Sequence, residues 1–159
     1  MNKNLNNFKP KKIIFSKSYL VLRMGKHYKL DPIAEIDKTI ENFGYSWFAK
    51  FGKKILASKV EDMIEKSLSY LVIVSLLNSE YISKTYKLLN ISQKKRNKNE
   101  PYPNYYNEEQ QFVGAWFKIK NSDHQVTMDE LIVKSSLNKL SIVFSTSMGS
   151  SFFCITKTR

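Results

Sequence analysis

The sequence predicts an α+β domain: one curved, mostly antiparallel sheet or small barrel, flanked by two to three helices. Three observations lead there. The first half alternates short apolar runs with segments carrying helix caps and helical spacing. The second half is a series of short alternating runs joined by polar turns, expected as an antiparallel meander. The chain has 159 residues, 42% of them hydrophobic, enough to bury a single core without staples.

Residues 1–17 are polar and basic and read as an arm, with residues 18–159 as one domain. Tyr19 to Met24 is an expected strand, stopped by Gly25. Asp31-Pro32 opens the clearest helix, with an N-cap and a proline suited to the first helical position. Ile33, Ile36, Ile40 and Phe43 then recur at helical spacing, and Gly44 supplies the stop.

Tyr45 to Phe51 reads as a strand turned by Gly52-Lys53-Lys54. Ser58-Lys59-Val60-Glu61 matches a capping box and predicts a second helix through about Ser67. Tyr70 to Leu77 is a continuous apolar run, expected as a buried central strand. A third, weaker helix is expected from Glu80 to Leu89, capped by Ser79. Residues 90–107 lack periodicity and hold two prolines, five asparagines and four bases, which predicts a long basic loop. Phe112 to Lys120, Glu130 to Lys134, Lys139 to Ser145 and Ser151 to Lys157 are the remaining expected strands.

The net charge of +12 is unevenly spread. Residues 1–30 carry +8, residues 81–99 carry +6 and residues 131–159 carry +4, all three without an acid. Lysine, asparagine and isoleucine abound, as in proteins from AT-rich genomes, but such bias does not empty three blocks of acids. A positive face attractive to a polyanion is expected, with DNA or RNA as the partner and an acidic protein or anionic membrane surface as alternatives.

Other classes find less support. The one cysteine, Cys154, forms no internal disulfide, and with no expected signal peptide this points to a cytoplasmic protein. The longest apolar run is too short to cross a bilayer, so no membrane insertion is expected. One cysteine and two separated histidines, His27 and His124, make no zinc site, and the five glycines form no phosphate-binding fingerprint. No cofactor and no catalytic residue is assigned. Asp129 and Glu130 are the carboxylates to test for a metal-dependent nuclease, although the spacing from Glu130 to Lys134 puts them off the usual strand motif.

Two stretches mix aromatic rings with lysine: Tyr45-Ser46-Trp47-Phe48-Ala49-Lys50-Phe51 and Phe112-Val113-Gly114-Ala115-Trp116-Phe117-Lys118. Rings beside cations suit stacking on bases while neutralising phosphates. The same residues suit core strands with lysines on the wet side. The candidate nucleic-acid contacts are Trp47, Trp116, Tyr45, Lys50, Lys53 and Lys54, with Lys94, Lys95, Arg96 and Lys98 from the basic loop. Trp47 and Trp116 would wall a slot for a flat base.

The order of elements resembles the PUA-like superfamily, particularly its EVE and YTH branches. Gly44-Tyr45-Ser46-Trp47 after the first long helix is similar to the segment that places a cage tryptophan. Tyr70-Leu71-Val72-Ile73-Val74-Ser75 looks like the central strand, and Ser147-Met148-Gly149-Ser150-Ser151-Phe152-Phe153-Cys154 like the closing hairpin. The resemblance implies a small α+β fold that reads a modified or extruded base through an aromatic cage, with Trp47 as a wall. It also implies a place in restriction or phage defence. The expected function is a non-catalytic nucleic-acid-binding module. The alternatives are a protein-interaction or inhibitor module of a mobile element or defence system, and the nuclease above.

Overall fold

In the computed structural model, residues 18–24, 31–51, 61–62, 69–77, 80–92, 99–103, 113–133, 137–146 and 152–158 are described. The elements follow in the order β1 (Ser18–Met24), α1 (Pro32–Phe43), β2 (Ser46–Phe51), β3 (Tyr70–Leu77), β4 (Glu80–Ser92), β5 (Val113–Asn121), β6 (Leu131–Val133), α2 (Leu140–Thr146) and β7 (Phe152–Thr158). A 3-10 turn at Met128–Glu130 leads into β6. The strands form one mixed sheet in the order β2-β5-β4-β3-β1-β7-β6.

β1 and β3 pair in parallel, and the other adjacent strands pair antiparallel. This is an α+β domain. Its outermost strands, β2 and β6, do not pair with each other, so the sheet is open among the described residues. The expected C-terminal meander does not form. β5 inserts between β2 and β4, and β7 lies beside β1. β6 still pairs with β7, but β5 and β7 otherwise pair with strands of the first half rather than with each other.

The central strands are buried on both sides, which explains their unbroken apolar runs. On one face Leu20, Leu22, Leu71, Ile73 and Tyr86 pack under Ile33, Ile36 and Ile40 of α1. On the other face Tyr19, Val21, Val72 and Val74 pack under Val126, Leu131, Leu140 and Phe144. Arg23 is also buried there; its Nη1 donates to the Phe144 carbonyl at 3.2 Å, and its guanidinium lies 5.1 Å from the Phe144 ring centroid.

α1 forms as its sequence directs. The Asp31 carboxylate accepts from the Ile33 N–H at 3.1 Å, and Gly44 ends the helix at φ 84°, in the left-handed region open to glycine. Replacing Asp31 with alanine is expected to cost about 1 kcal/mol of unfolding free energy, with Asp31→Asn restoring most of it. Urea unfolding of the two variants checks this.

Two elements change type. The helix expected from Glu80 to Leu89 is strand β4. Tyr81, Ile82, Thr85, Leu88 and Leu89 suit a helix face by spacing, but β4 bonds β3 along one side and β5 along the other. Pairing on both edges outweighs a weak local preference. In place of the strand expected from Lys139 to Ser145 stands helix α2, Leu140–Thr146. Leu140, Val143 and Phe144 turn inward at helical spacing and cap the second core. Of the expected helix at residues 58–67, Glu61 and Asp62 are helical and the rest lies outside the described residues. The same holds for the N-terminal arm at 1–17 and most of the loop at 90–107.

Candidate functional site

β4 carries two lysines whose surroundings differ sharply. Lys84 faces α1, where its Nζ meets the Asp37 carboxylate at 2.8 Å. The same carboxylate oxygen accepts from the Tyr86 hydroxyl at 2.8 Å. That lysine is neutralised within the fold. Lys87, three residues on, projects from the opposite face and is exposed. It stands directly across from Lys120 of β5, which is also exposed. No acid pairs with either among the described residues.

Like charges placed directly opposite on adjacent strands are unfavourable. The register extends this pair into a transverse row. Tyr19 of β1 is opposite Tyr70 of β3, Tyr70 is opposite Lys87, and Lys87 is opposite Lys120. Beyond the Ser46–Ile119 pair, the next position on the β2 side is Tyr45, which continues the row past Lys120. The row therefore reads Tyr19, Tyr70, Lys87, Lys120, Tyr45. Lys118, two residues before Lys120 and on the same face, places its ammonium 4.6 Å from the Tyr45 ring centroid.

The β1 end of the row is covered, whereas Lys87 and Lys120 toward the other end are exposed. Tyr19 is only 1% exposed. The segment after β5 brings His124 over it: the Tyr19 hydroxyl and His124 Nε2 are 2.6 Å apart. The Tyr70 ring lies 5.6 Å from that of Tyr19 and 5.0 Å from that of His124. Gln125 and the Val126 N–H hold the segment down on Thr85 of β4. Gln125 bonds the backbone of Thr85 in both directions, at 2.9 and 2.8 Å. Tyr70 and His124 are half-buried and mark the border of this cover.

Burial raises the Tyr19 pKa above 10.0, helped by Tyr70 and then by the negative charge of Glu130. Held protonated, the hydroxyl keeps its hydrogen bond with His124. A folded pKa above the unfolded value means this stability is fully present below the unfolded pKa and is lost as pH rises through the folded one. Tyr19→Phe is therefore expected to be less stable than the parent at neutral pH, by about 1 kcal/mol for the lost hydrogen bond. Its stability should fall less steeply above pH 10. Denaturant unfolding across that range checks both.

Trp47 and Trp116 share the Lys118 face of their strands but are not part of the exposed row. They are 5% and 3% exposed and belong to the same core cluster as the buried residues of α1. Trp116 meets Tyr102 edge-on at 6.2 Å, and the Trp47 backbone N–H donates to the Pro101 carbonyl at 2.9 Å. The Trp47 Nε1 is buried with no hydrogen-bond partner among the described residues. A base would reach either indole only after the covering residues moved.

Tyr45 is half-buried at the end of the row. Lys50 lies on β2 opposite Ala115. Lys53, Lys54, Lys94, Lys95, Arg96 and Lys98 lie outside the described residues. Asp129 and Glu130 are exposed in the 3-10 turn, where Glu130 Oε2 accepts from the Thr127 N–H at 2.7 Å. Among the described residues no group of three or more His, Cys, Asp or Glu side chains is placed to hold a metal. A small cavity of about 110 Å³ opens beside α1, lined by Glu35, Lys38, Thr39, Asn42, Phe43 and Tyr102. It carries both signs of charge.

Lys87 falls in the basic block 84–98 expected from sequence to bind phosphates, whereas Lys120, Lys118, Tyr70 and His124 are not among the expected contacts. A signal for two of them exists: Lys118 and Lys120 alternate with Phe117 and Ile119, the pattern of a strand with one wet face. The place of Lys87 opposite Lys120 was hidden by the helical reading of its segment.

Among the described residues, fold and site together define an open α+β sheet with a face that carries exposed lysines beside aromatic rings. The chain matches no protein-family model, no curated protein and no solved structure. Among the described residues, no helix is long and apolar enough to cross a membrane.

Proposed function

We propose that this protein is a nucleic-acid-binding module that seats a phosphate backbone on the uncovered part of this sheet face. The observation that carries the reading is the direct opposition of Lys87 and Lys120, both exposed and, among the described residues, paired with no acid. The contrast with Lys84, which the fold neutralises with Asp37, sharpens it. An uncompensated cation pair is unfavourable for the free protein and favourable once a polyanion arrives. Lys118 beside Tyr45 extends the positive strip. The net charge of +12 and the resemblance to PUA-like nucleic-acid readers support the same ligand class.

The test is the salt dependence of oligonucleotide binding, read by fluorescence anisotropy. Each phosphate contact contributes roughly 0.7 to 0.9 to the slope of log affinity against log salt. Replacing both Lys87 and Lys120 with glutamine should reduce the magnitude of that slope by roughly 1.5. An unchanged slope would remove this face from the footprint.

A further inference from the structure

The same row carries more than charge. Its two lysines stand between aromatic groups: Tyr70 with His124 at one end, and Tyr45 with Lys118 at the other. We infer that this face binds single-stranded nucleic acid, with Tyr45 and Tyr70 as stacking platforms on either side of a Lys87–Lys120 phosphate seat. The inference rests on the nucleic-acid reading above and adds the strand state and the roles of the rings.

The geometry favours a single strand for three reasons. Tyr70 and the Tyr45 position are three strand spacings apart, about 14 Å at about 4.8 Å each. A short extended run of nucleotides spans that distance with its phosphates over the lysines and bases toward the two ends. Rings rising from a sheet face can stack only on bases whose π-faces are available, and a duplex keeps its bases stacked on one another. Finally, both rings are held in place before any ligand arrives. Tyr70 is braced by Tyr19, itself bonded to His124 at 2.6 Å. Tyr45 is braced by Lys118, so a stacking ring and a cation for the flanking phosphate come as one unit.

Three ligands separate the possibilities without any mutation: a labelled DNA or RNA strand of mixed sequence, its duplex, and a strand of equal length whose sugars carry no bases. The parent protein is expected to bind the base-bearing strand on the order of tenfold tighter than the abasic strand, from the loss of stacking. The duplex should also bind more weakly than the single strand. Tyr45→Leu should lose on the order of tenfold on the base-bearing strand and nothing on the abasic one, while Tyr45→Phe keeps parental affinity. Circular dichroism establishes that the variants fold. Duplex binding equal to or tighter than single-strand binding overturns the inference and leaves the polyanion reading standing. So does equal affinity for base-bearing and abasic strands. If the parent binds none of the three, both fall together.

Discussion

Replacing Trp116 with alanine is expected to unfold the protein or bring it close to unfolding. The ring is 3% exposed, lies against Ala49 across the β2–β5 pair, and meets Tyr102 edge-on. Truncating a buried tryptophan to alanine removes its transfer free energy and leaves a cavity, about 3–5 kcal/mol in all. A domain of this size has about 5–15 kcal/mol in total. Trp47→Ala should cost somewhat less. Its indole N–H is buried without a partner among the described residues, so removing the ring also removes that unfavourable group. Trp47→Phe should therefore be much milder than Trp47→Ala. Urea midpoints for the three variants decide the matter. A Trp116→Ala protein with the parental midpoint would mean the ring is not part of the core.

The Lys87 and Lys120 pair should show the opposite pattern, a large effect on binding with none on folding. At about 0.1 M salt, two contacts worth roughly 0.7 each in log affinity amount to a loss of about 25-fold for the double glutamine variant. The stability of that variant should stay level or rise by a few tenths of a kcal/mol, because like charges no longer face each other across β4 and β5. Residues kept at a cost to the free protein are expected where function requires them. Lys84→Gln is the control. It breaks an ion pair with Asp37 on the other face and should leave affinity unchanged. A loss of stability in the double variant, or equal losses of affinity in double variant and control, would contradict this account.

The two tryptophans show where reading the chain reaches its limit. Trp47 and Trp116 sit in strands beside lysines, and that pattern is the same for a base-stacking wall and for a core strand with a wet face. Lys118 and Lys120 do occupy the face of β5 that carries Trp116. What separates them is the cover. The segment at residues 99–103 lies over the tryptophan end of the sheet, and nothing in the sequence of Glu100-Pro101-Tyr102-Pro103 says where it will dock.

β4 illustrates a second limit. Its spacing satisfies a helix and a strand equally, and only the neighbouring edges of β3 and β5 select the strand. That selection moves Lys87 from a solvated helix face to the middle of a sheet, opposite Lys120. α2 is the reverse case: Lys139 to Ser145 reads as a strand between polar turns, and the segment forms a helix that packs with Leu131 and Val21. The candidate row itself was legible only as scattered tyrosines and lysines, because registers are set by pairing between distant segments.

By itself the sequence determined what depends on short-range chemistry. The α+β class, the Asp31-capped and Gly44-stopped helix, the apolar central strands Tyr19–Met24 and Tyr70–Leu77, and the excess of positive charge all follow from local patterns. Those patterns act within a few residues, through caps, periodicity and side-chain type. The tertiary structure decided which strands are neighbours, that the two indoles are inside, and that Lys87 and Lys120 stand face to face between Tyr70 and Tyr45. These depend on which distant surfaces bury each other, and burial is a property of the whole chain.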